Sequence, residues 1–287
     1  MLTGKYMDLI YLDYNATTPV DPKVVDRMVP FFGQYYGNPS SKGHAFGWSA
    51  DEAVSMGREE LAGLLGADPD DLIFTSGSTE SLNTVIKSVA APRSDRPVHV
   101  VTTNAEHSAV IESCRSLERR GVHVTYLPVD ASGLVSPDDL ASAMTDDTVL
   151  VAIMWANNEI GSVAPIEALA RVAREHNALF LTDATQAVGK IPVSVQHVDF
   201  LTCSAHKFYG PKGVGALWVR PGTRITPLLD GGSQEKGLRS GTLNVPGIVG
   251  IGAAASIAHD RLTVDLKRLQ DLRDRLEREL TGVIDGL

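Results

Sequence analysis

Short apolar runs alternate along most of the chain with segments in which apolar residues recur at helical spacing. The runs cover residues 72–75, 98–101, 122–127, 149–154, 179–182, 198–202 and 214–219, and the helical patterns between them cover 80–91, 108–120 and 166–176. Runs this short, apolar throughout and separated by crossover helices predict a mostly parallel sheet covered on both faces, an α/β architecture. Such a sheet binds ligands beyond the carboxyl ends of its strands, where the connecting loops diverge. The polar residues predicted at those ends are Gly77, Ser78 and Thr79, then His107, Asn158, Asp183 and Lys207, close enough in this topology to share one loop cluster.

The flanking segments follow other patterns. Residues 13–19 read as an extended arm, 22–32 as a first helix, and 37–41 as a turn-rich loop. Near the other end, Leu262, Leu266, Leu269, Leu272, Leu276 and Leu280 form an apolar stripe on a long charged helix. Burying six leucines would contribute roughly 10 kcal/mol gross, so the stripe calls for a partner surface. Residues 250–255 match a dinucleotide-binding fingerprint in letters alone. They sit in a predicted helix with no strand before them, so close helix packing accounts for the small residues.

With 287 residues, 43% of them apolar, the chain can bury one large core or a core with a smaller lobe. Its net charge of −9 disfavours nucleic acid and anionic membranes as partners. Small molecules and proteins are the partners expected. No segment has the run of apolar residues that crosses a bilayer, and residues 1–8 lack the pattern of a signal peptide. Two cysteines, Cys114 and Cys203, give no disulfide framework, so a cytoplasmic setting is expected and both read as buried space-fillers. No metal-ligand cluster, Walker loop or nucleophile elbow is present in the sequence.

The candidate chemistry centres on Lys207, which follows a strand and precedes the turn Gly210-Pro211, and on Asp183, which closes the preceding strand. A lysine so placed suits an amine approached by a cofactor aldehyde, and an aspartate on the neighbouring strand suits a pyridinium nitrogen that must keep its proton. Together they suggest pyridoxal phosphate held as a Schiff base on Lys207. Residues 75–80 offer hydroxyls, a glycine bend and a helix start to a phosphate, with Ser204 and His206 adding donors; taken alone, the same run serves as an ordinary helix cap. Asp183 and Gln186 lie three residues apart and fall on one side of a helical turn, from which Gln186 would donate to the ring's phenolic oxygen; the acid has an alternative role as a cap. Asn157 and Asn158 form a turn or send one amide to the cofactor. His107 at a helix start is a surface residue or a ring that stacks on the cofactor and moves protons.

As a set, the phrases 11–19, 37–41, 74–81, 157–161, 183–186, 206–213 and 239–242 resemble the class V aminotransferase family of fold-type I pyridoxal phosphate enzymes, and within it the cysteine desulfurases of the nitrogen-fixation and iron–sulfur-assembly type. The resemblance implies a fold-type I large domain with an incomplete small domain: an arm over 1–20, the cofactor domain over 21–258, and a connecting helix with the start of a small domain over 259–287. It implies Lys207 as the Schiff-base lysine and His107 as the stacking acid–base group. Asp183 would pair with the ring nitrogen, Asn158 and Gln186 with the ring oxygen, and Ser78, Thr79, Ser204 and His206 with the phosphate. Thr242 would reach the phosphate of the opposite subunit of a homodimer. The implied reaction converts L-cysteine to L-alanine and passes sulfur as a persulfide toward iron–sulfur cluster or thiolation pathways, through acceptor or scaffold proteins. The family's persulfide-forming cysteine, its carboxylate-gripping arginine and most of its small domain have no counterpart in these residues, which implies a C-terminally shortened desulfurase. Alternatives on the same scaffold are another class V lyase or aminotransferase, or a catalytically silent protein that keeps the fold for dimerisation or binding.

Overall fold

The computed structural model describes residues 9–92 and 94–284. The expectations for residues 1–8 and for the last three residues lie outside that range. Seven strands form one sheet: β1 (Leu72–Thr75), β2 (His99–Thr103), β3 (His123–Leu127), β4 (Thr148–Ala152), β5 (Leu179–Asp183), β6 (Phe200–Ser204) and β7 (Gly215–Val219). Their order is β1-β7-β6-β5-β4-β2-β3, with β7 antiparallel to both neighbours and every other pairing parallel. The mostly parallel α/β sheet read from the sequence is therefore present, each predicted strand lying within two residues of its place.

The helices are α1 (Pro22–Met28), α2 (Pro30–Gly33), α3 (Ala45–Leu65), α4 (Ser78–Val89), α5 (Ser108–Glu118), α6 (Pro137–Ala143), α7 (Ile166–Glu175) and α8 (Val245–Thr281). The single helix predicted over 22–32 is divided, because Pro30 has no N–H for the ladder and starts a new helix instead. One apolar layer holds α4 and α5 against the sheet; α1, α3, α7 and the first third of α8 contribute to the other. The sheet is buried on both faces, which is why its strands read as continuous apolar runs.

Where α3 crosses α8 the backbones nearly touch: a Cβ on Gly252 would lie 2.5 Å from the Cα of Gly57. This contact explains the small residues of 250–255 as packing. Helix α8 runs unbroken through residue 258. It is buried as far as Ala255 and mostly exposed beyond, so Leu269, Leu272 and Leu276 have no cover among the described residues.

β1 is an edge strand whose outward groups are capped by side chains. The N–H of Phe74 donates to Glu235 Oε2 at 2.7 Å, and Arg58 donates to the Leu72 carbonyl at 2.6 Å. Arg58 and Glu235 pair with each other and Arg58 lies over the Phe74 ring. No described helix is long and apolar enough to cross a membrane.

Candidate active site

Five chain segments leave the sheet at the carboxyl ends of β1, β2, β4, β5 and β6, and a cavity of about 310 Å³ lies where they diverge. Its wall includes Ser78, Thr79, His107, Asn158, Asp183, Gln186, Ser204, His206 and Lys207, joined by Ala16, Met154, Ala156 and Thr185. Two larger depressions, of about 660 and 760 Å³, lie beside α7 and near the opposite end of the sheet, and neither gathers these groups. Nine of the ten residues singled out in the sequence are thus brought together. Thr242 is exposed and outside this wall; its loop is tied to α4 by Arg239, which donates to Glu80 Oε1 at 2.9 Å.

At one end of the cavity, Gly77 turns the chain from β1 into α4 at φ 148°, a conformation that favours glycine. Gly215 on β7 permits this turn to sit against the sheet, since a Cβ there would lie 2.6 Å from the Gly77 Cα. The N–H of Ser78 donates to Ser204 Oγ at 2.8 Å, Ser204 donates to Ser78 Oγ at 3.0 Å, and Ser78 and Thr185 share a hydrogen bond. Three hydroxyls from three elements thus meet at the amino end of a twelve-residue helix, the donor set an anion requires.

Asp183 ends β5, buried, with Oδ1 accepting from the N–H of Thr185 at 3.0 Å and from Thr202 Oγ1 at 3.3 Å. Its other oxygen takes no hydrogen bond among the described residues, so a carboxylate oxygen stands open to a cationic ring nitrogen. Lys207 lies in the 3₁₀ turn after β6, its amine donating to the carbonyls of Asn15 at 2.6 Å and Ala16 at 2.9 Å. Burial lowers its proton affinity, opposed by the charges of Asp183, Asp13 and Glu159. Tyr209 holds the turn in place at φ 65°, its N–H donating to Thr18 Oγ1 and its carbonyl accepting from Asp21. Asp183, Lys207 and the hydroxyl cluster supply what pyridoxal phosphate requires of its ring nitrogen, its aldehyde and its phosphate, and the residues present fit the group.

His107 caps α5, with Nδ1 accepting from the N–H of Ala109 at 3.1 Å; in the neutral ring the proton therefore lies on Nε2. Immediately before it, Glu106 is buried, reaching the cavity wall through the N–H of Met154. Its Oε1 accepts from Thr103 at 3.1 Å and from the N–H of Met154 at 2.9 Å, while Oε2 has no partner among the described residues. Burial, reinforced by the charge of Asp183, pushes its carboxyl up to about 8. Asn158 gives its amide to Glu159 at 2.6 Å, and Gln186 donates to the Asn15 carbonyl at 3.0 Å. His206 meets Thr17 at 3.1 Å, its proton affinity lowered by burial and by Lys207, Lys212 and Lys190.

Thr185 and Glu106 are functional candidates the sequence did not single out. Thr185 lay inside a motif read only for its acid and its amide, and Glu106 carried no local signal, because its burial follows from how the loop after β2 tucks under β4. Both cysteines are buried away from the cavity, their thiols pushed up to about 12 by burial.

Comparison with known proteins is consistent with this geometry. The family described as aminotransferase class-V matches residues 10–286. A cysteine desulfurase IscS of Dictyoglomus turgidum is 50% identical over 273 residues, a match covering 94% of this chain and 69% of that protein. The chain spans about two thirds of the length of the curated relatives it matches. Among solved structures, a NifS-like protein superposes with a TM-score of 0.92 at 44% identity, over 95% of this chain and 76% of its own. A structure described as SspA in complex with cysteine gives 0.83 at 42% identity, over 86% of this chain and 72% of its own.

Proposed function

The chain belongs to the aminotransferase class-V family, and from that premise we propose that it forms the pyridoxal phosphate-binding part of a cysteine desulfurase, converting L-cysteine to L-alanine and passing the sulfur on as a persulfide. Curated relatives it matches are named cysteine desulfurases, and the family is one of pyridoxal phosphate enzymes. The observation that carries the reading is the open oxygen of buried Asp183 in the same cavity wall as the Lys207 amine and the hydroxyl-lined start of α4.

Bound there, pyridoxal phosphate supplies an aldehyde to amines and a cationic ring that draws electrons from the substrate. Asp183 holds the ring nitrogen's proton through its free oxygen. Ser78, Thr79, Ser204 and His206 hold the phosphate, with Thr185 closing the hydroxyl cluster. Lys207, its proton affinity lowered by burial, takes the substrate's α proton at Nζ, while the arm carbonyls of Asn15 and Ala16 orient the amine. His107, in the cavity wall, would stack against the bound cofactor and move a proton at Nε2. Asn158 and Gln186 serve the ring oxygen. Because Cys114 and Cys203 are buried away from the cavity and hold their protons, the sulfur passes to a thiol other than these two.

In this reading the cofactor domain spans 21–258 behind an arm over 1–20, and 259–287 begins the connection to a smaller domain. The protein works in the cytoplasm as a homodimer, with Thr242 serving the neighbouring subunit's phosphate. Its sulfur goes to acceptor or scaffold proteins of cluster assembly or thiolation.

The test is to add pyridoxal 5′-phosphate and record the absorbance band near the visible edge, then to reduce with borohydride and locate the adduct by peptide mass spectrometry. The expected result is a band and an adduct on Lys207, both lost in Lys207→Ala. A wild-type protein that forms neither overturns the assignment. Alanine release from L-cysteine, measured with and without an added thiol acceptor, then reads turnover.

A further inference from the structure

Resting on the cofactor assignment above, we propose that Lys190 is a positioning residue that fixes which end of the Gln186 amide the cavity meets, turning N–H donors and not a carbonyl toward an anionic oxygen of the bound cofactor. The helical turn after β5 places Gln186 and Lys190 on one face: Val188 and Ala187 donate to the Ala184 carbonyl, and Lys190 to that of Ala187. The Lys190 amine donates to Gln186 Oε1. An ammonium has three donors and no acceptor, so only the carbonyl end of the amide can face it. A flipped amide would set N–H against N–H there.

With Oε1 held, Nε2 points toward the arm, where it donates to the Asn15 carbonyl at 3.0 Å. That same carbonyl accepts from Lys207 at 2.6 Å. Lys190, Gln186, Asn15 and Lys207 therefore form one chain of hydrogen bonds in which every direction is set by the two ammonium ends. The turn is pressed into position at Gly189, φ 75°, where a Cβ would lie 2.7 Å from the Cβ of Phe208, next to Lys207. The titratable groups coupled to Lys190 among the described residues are the Lys207 amine and the His206 ring. Burial and the charge of Lys207 push the Lys190 amine down to about 8, so the constraint is strongest below that pH.

The experiment is a pH titration of the absorbance of protein loaded with pyridoxal 5′-phosphate, in wild type, Lys190→Met, Lys190→Arg, Gln186→Ala and the double variant Lys190→Met with Gln186→Ala. Lys190→Met is expected to move the midpoint by about one pH unit, a tenfold change in proton affinity. Lys190→Arg, also donor-only, is expected to keep the wild-type midpoint. In the Gln186→Ala background, Lys190→Met is expected to add nothing. An unchanged midpoint in Lys190→Met overturns the proposal, and so does the same shift with Gln186 already removed, which would reveal action at a distance through charge alone. Should Lys190→Met lose its native circular dichroism, Lys190→Gln replaces it, with a shift again expected because its amide can turn either end to Gln186. If wild type itself forms no band, it is the cofactor assignment that fails.

Discussion

The two ends of the sheet treat polar groups in opposite ways. At the amino ends of the parallel strands, His99 and Asp199 find their partners within the chain. His99 has Nδ1 on Thr148 at 2.8 Å and Nε2 on Thr125 at 2.9 Å, and Asp199 takes the N–H of Phe180 at 2.8 Å and the guanidinium of Arg220 at 2.8 Å. At the carboxyl ends, among the described residues, Glu106 Oε2 has no partner, Asp183 keeps an oxygen open, and Lys207 is held only by arm carbonyls. One end of the same scaffold spends its hydrogen bonds on stability, whereas the other withholds them for a ligand.

The largest way to sharpen this contrast is Glu106. Its folded proton affinity is raised to about 8 from the ordinary 4.5, so the unfolded chain ionises first and stability contributed by the neutral carboxyl is lost as pH rises between those values. Over that span wild type is expected to lose roughly 5 kcal/mol relative to Glu106→Gln, read as denaturation midpoints of the two proteins against pH. A gap between them that does not change with pH would place the carboxyl in a different state.

Gly215→Ala attacks the joint between sheet and phosphate cradle. Its Cβ would lie 2.5 Å from the Cys203 carbonyl and 2.6 Å from the Gly77 Cα, both backbone, so a loss of roughly 3 kcal/mol is expected together with weaker cofactor retention on dialysis. At the opposite end, Asp199→Ala should cost about 2 kcal/mol in urea unfolding yet leave cofactor affinity per folded molecule unchanged. Loss of cofactor binding in that variant would erase the distinction between the ends. The smallest effect belongs to His99, whose proton affinity is lowered by burial and by His123. Protonation is therefore resisted in the folded state, and stability should fall as pH drops below about 6.5, with His99→Gln flattening that slope in the same unfolding series.

The strands were legible because burial on both faces leaves a continuous apolar run, and the site was legible because chemistry-bearing residues follow those runs. Helix α3 was not recognised: Gly47, Gly57 and Gly63 with several alanines and polar residues blur its stripe, and its contact with α8 needs small residues, not large ones. Lys190 gave no signal either, since a lysine after a turn reads as solvated; only the fold brings it against Gln186. The direction of each side-chain amide is likewise absent from sequence. Gln186 reaches the arm and Asn158 its own neighbour Glu159, because arm and loop occupy positions no local pattern encodes.

The capped edge at β1 has a consequence for self-association. A sheet margin with free N–H and carbonyl groups invites a stranger's strand to add itself, the first step toward intermolecular β-aggregates. At β1 the N–H of Phe74 and the carbonyl of Leu72 are already occupied by a carboxylate and a guanidinium that also bind each other. An incoming chain would have to uncouple a buried ion pair before forming its first rung, so the sheet is guarded at this margin by two side chains and needs no further strand to close it.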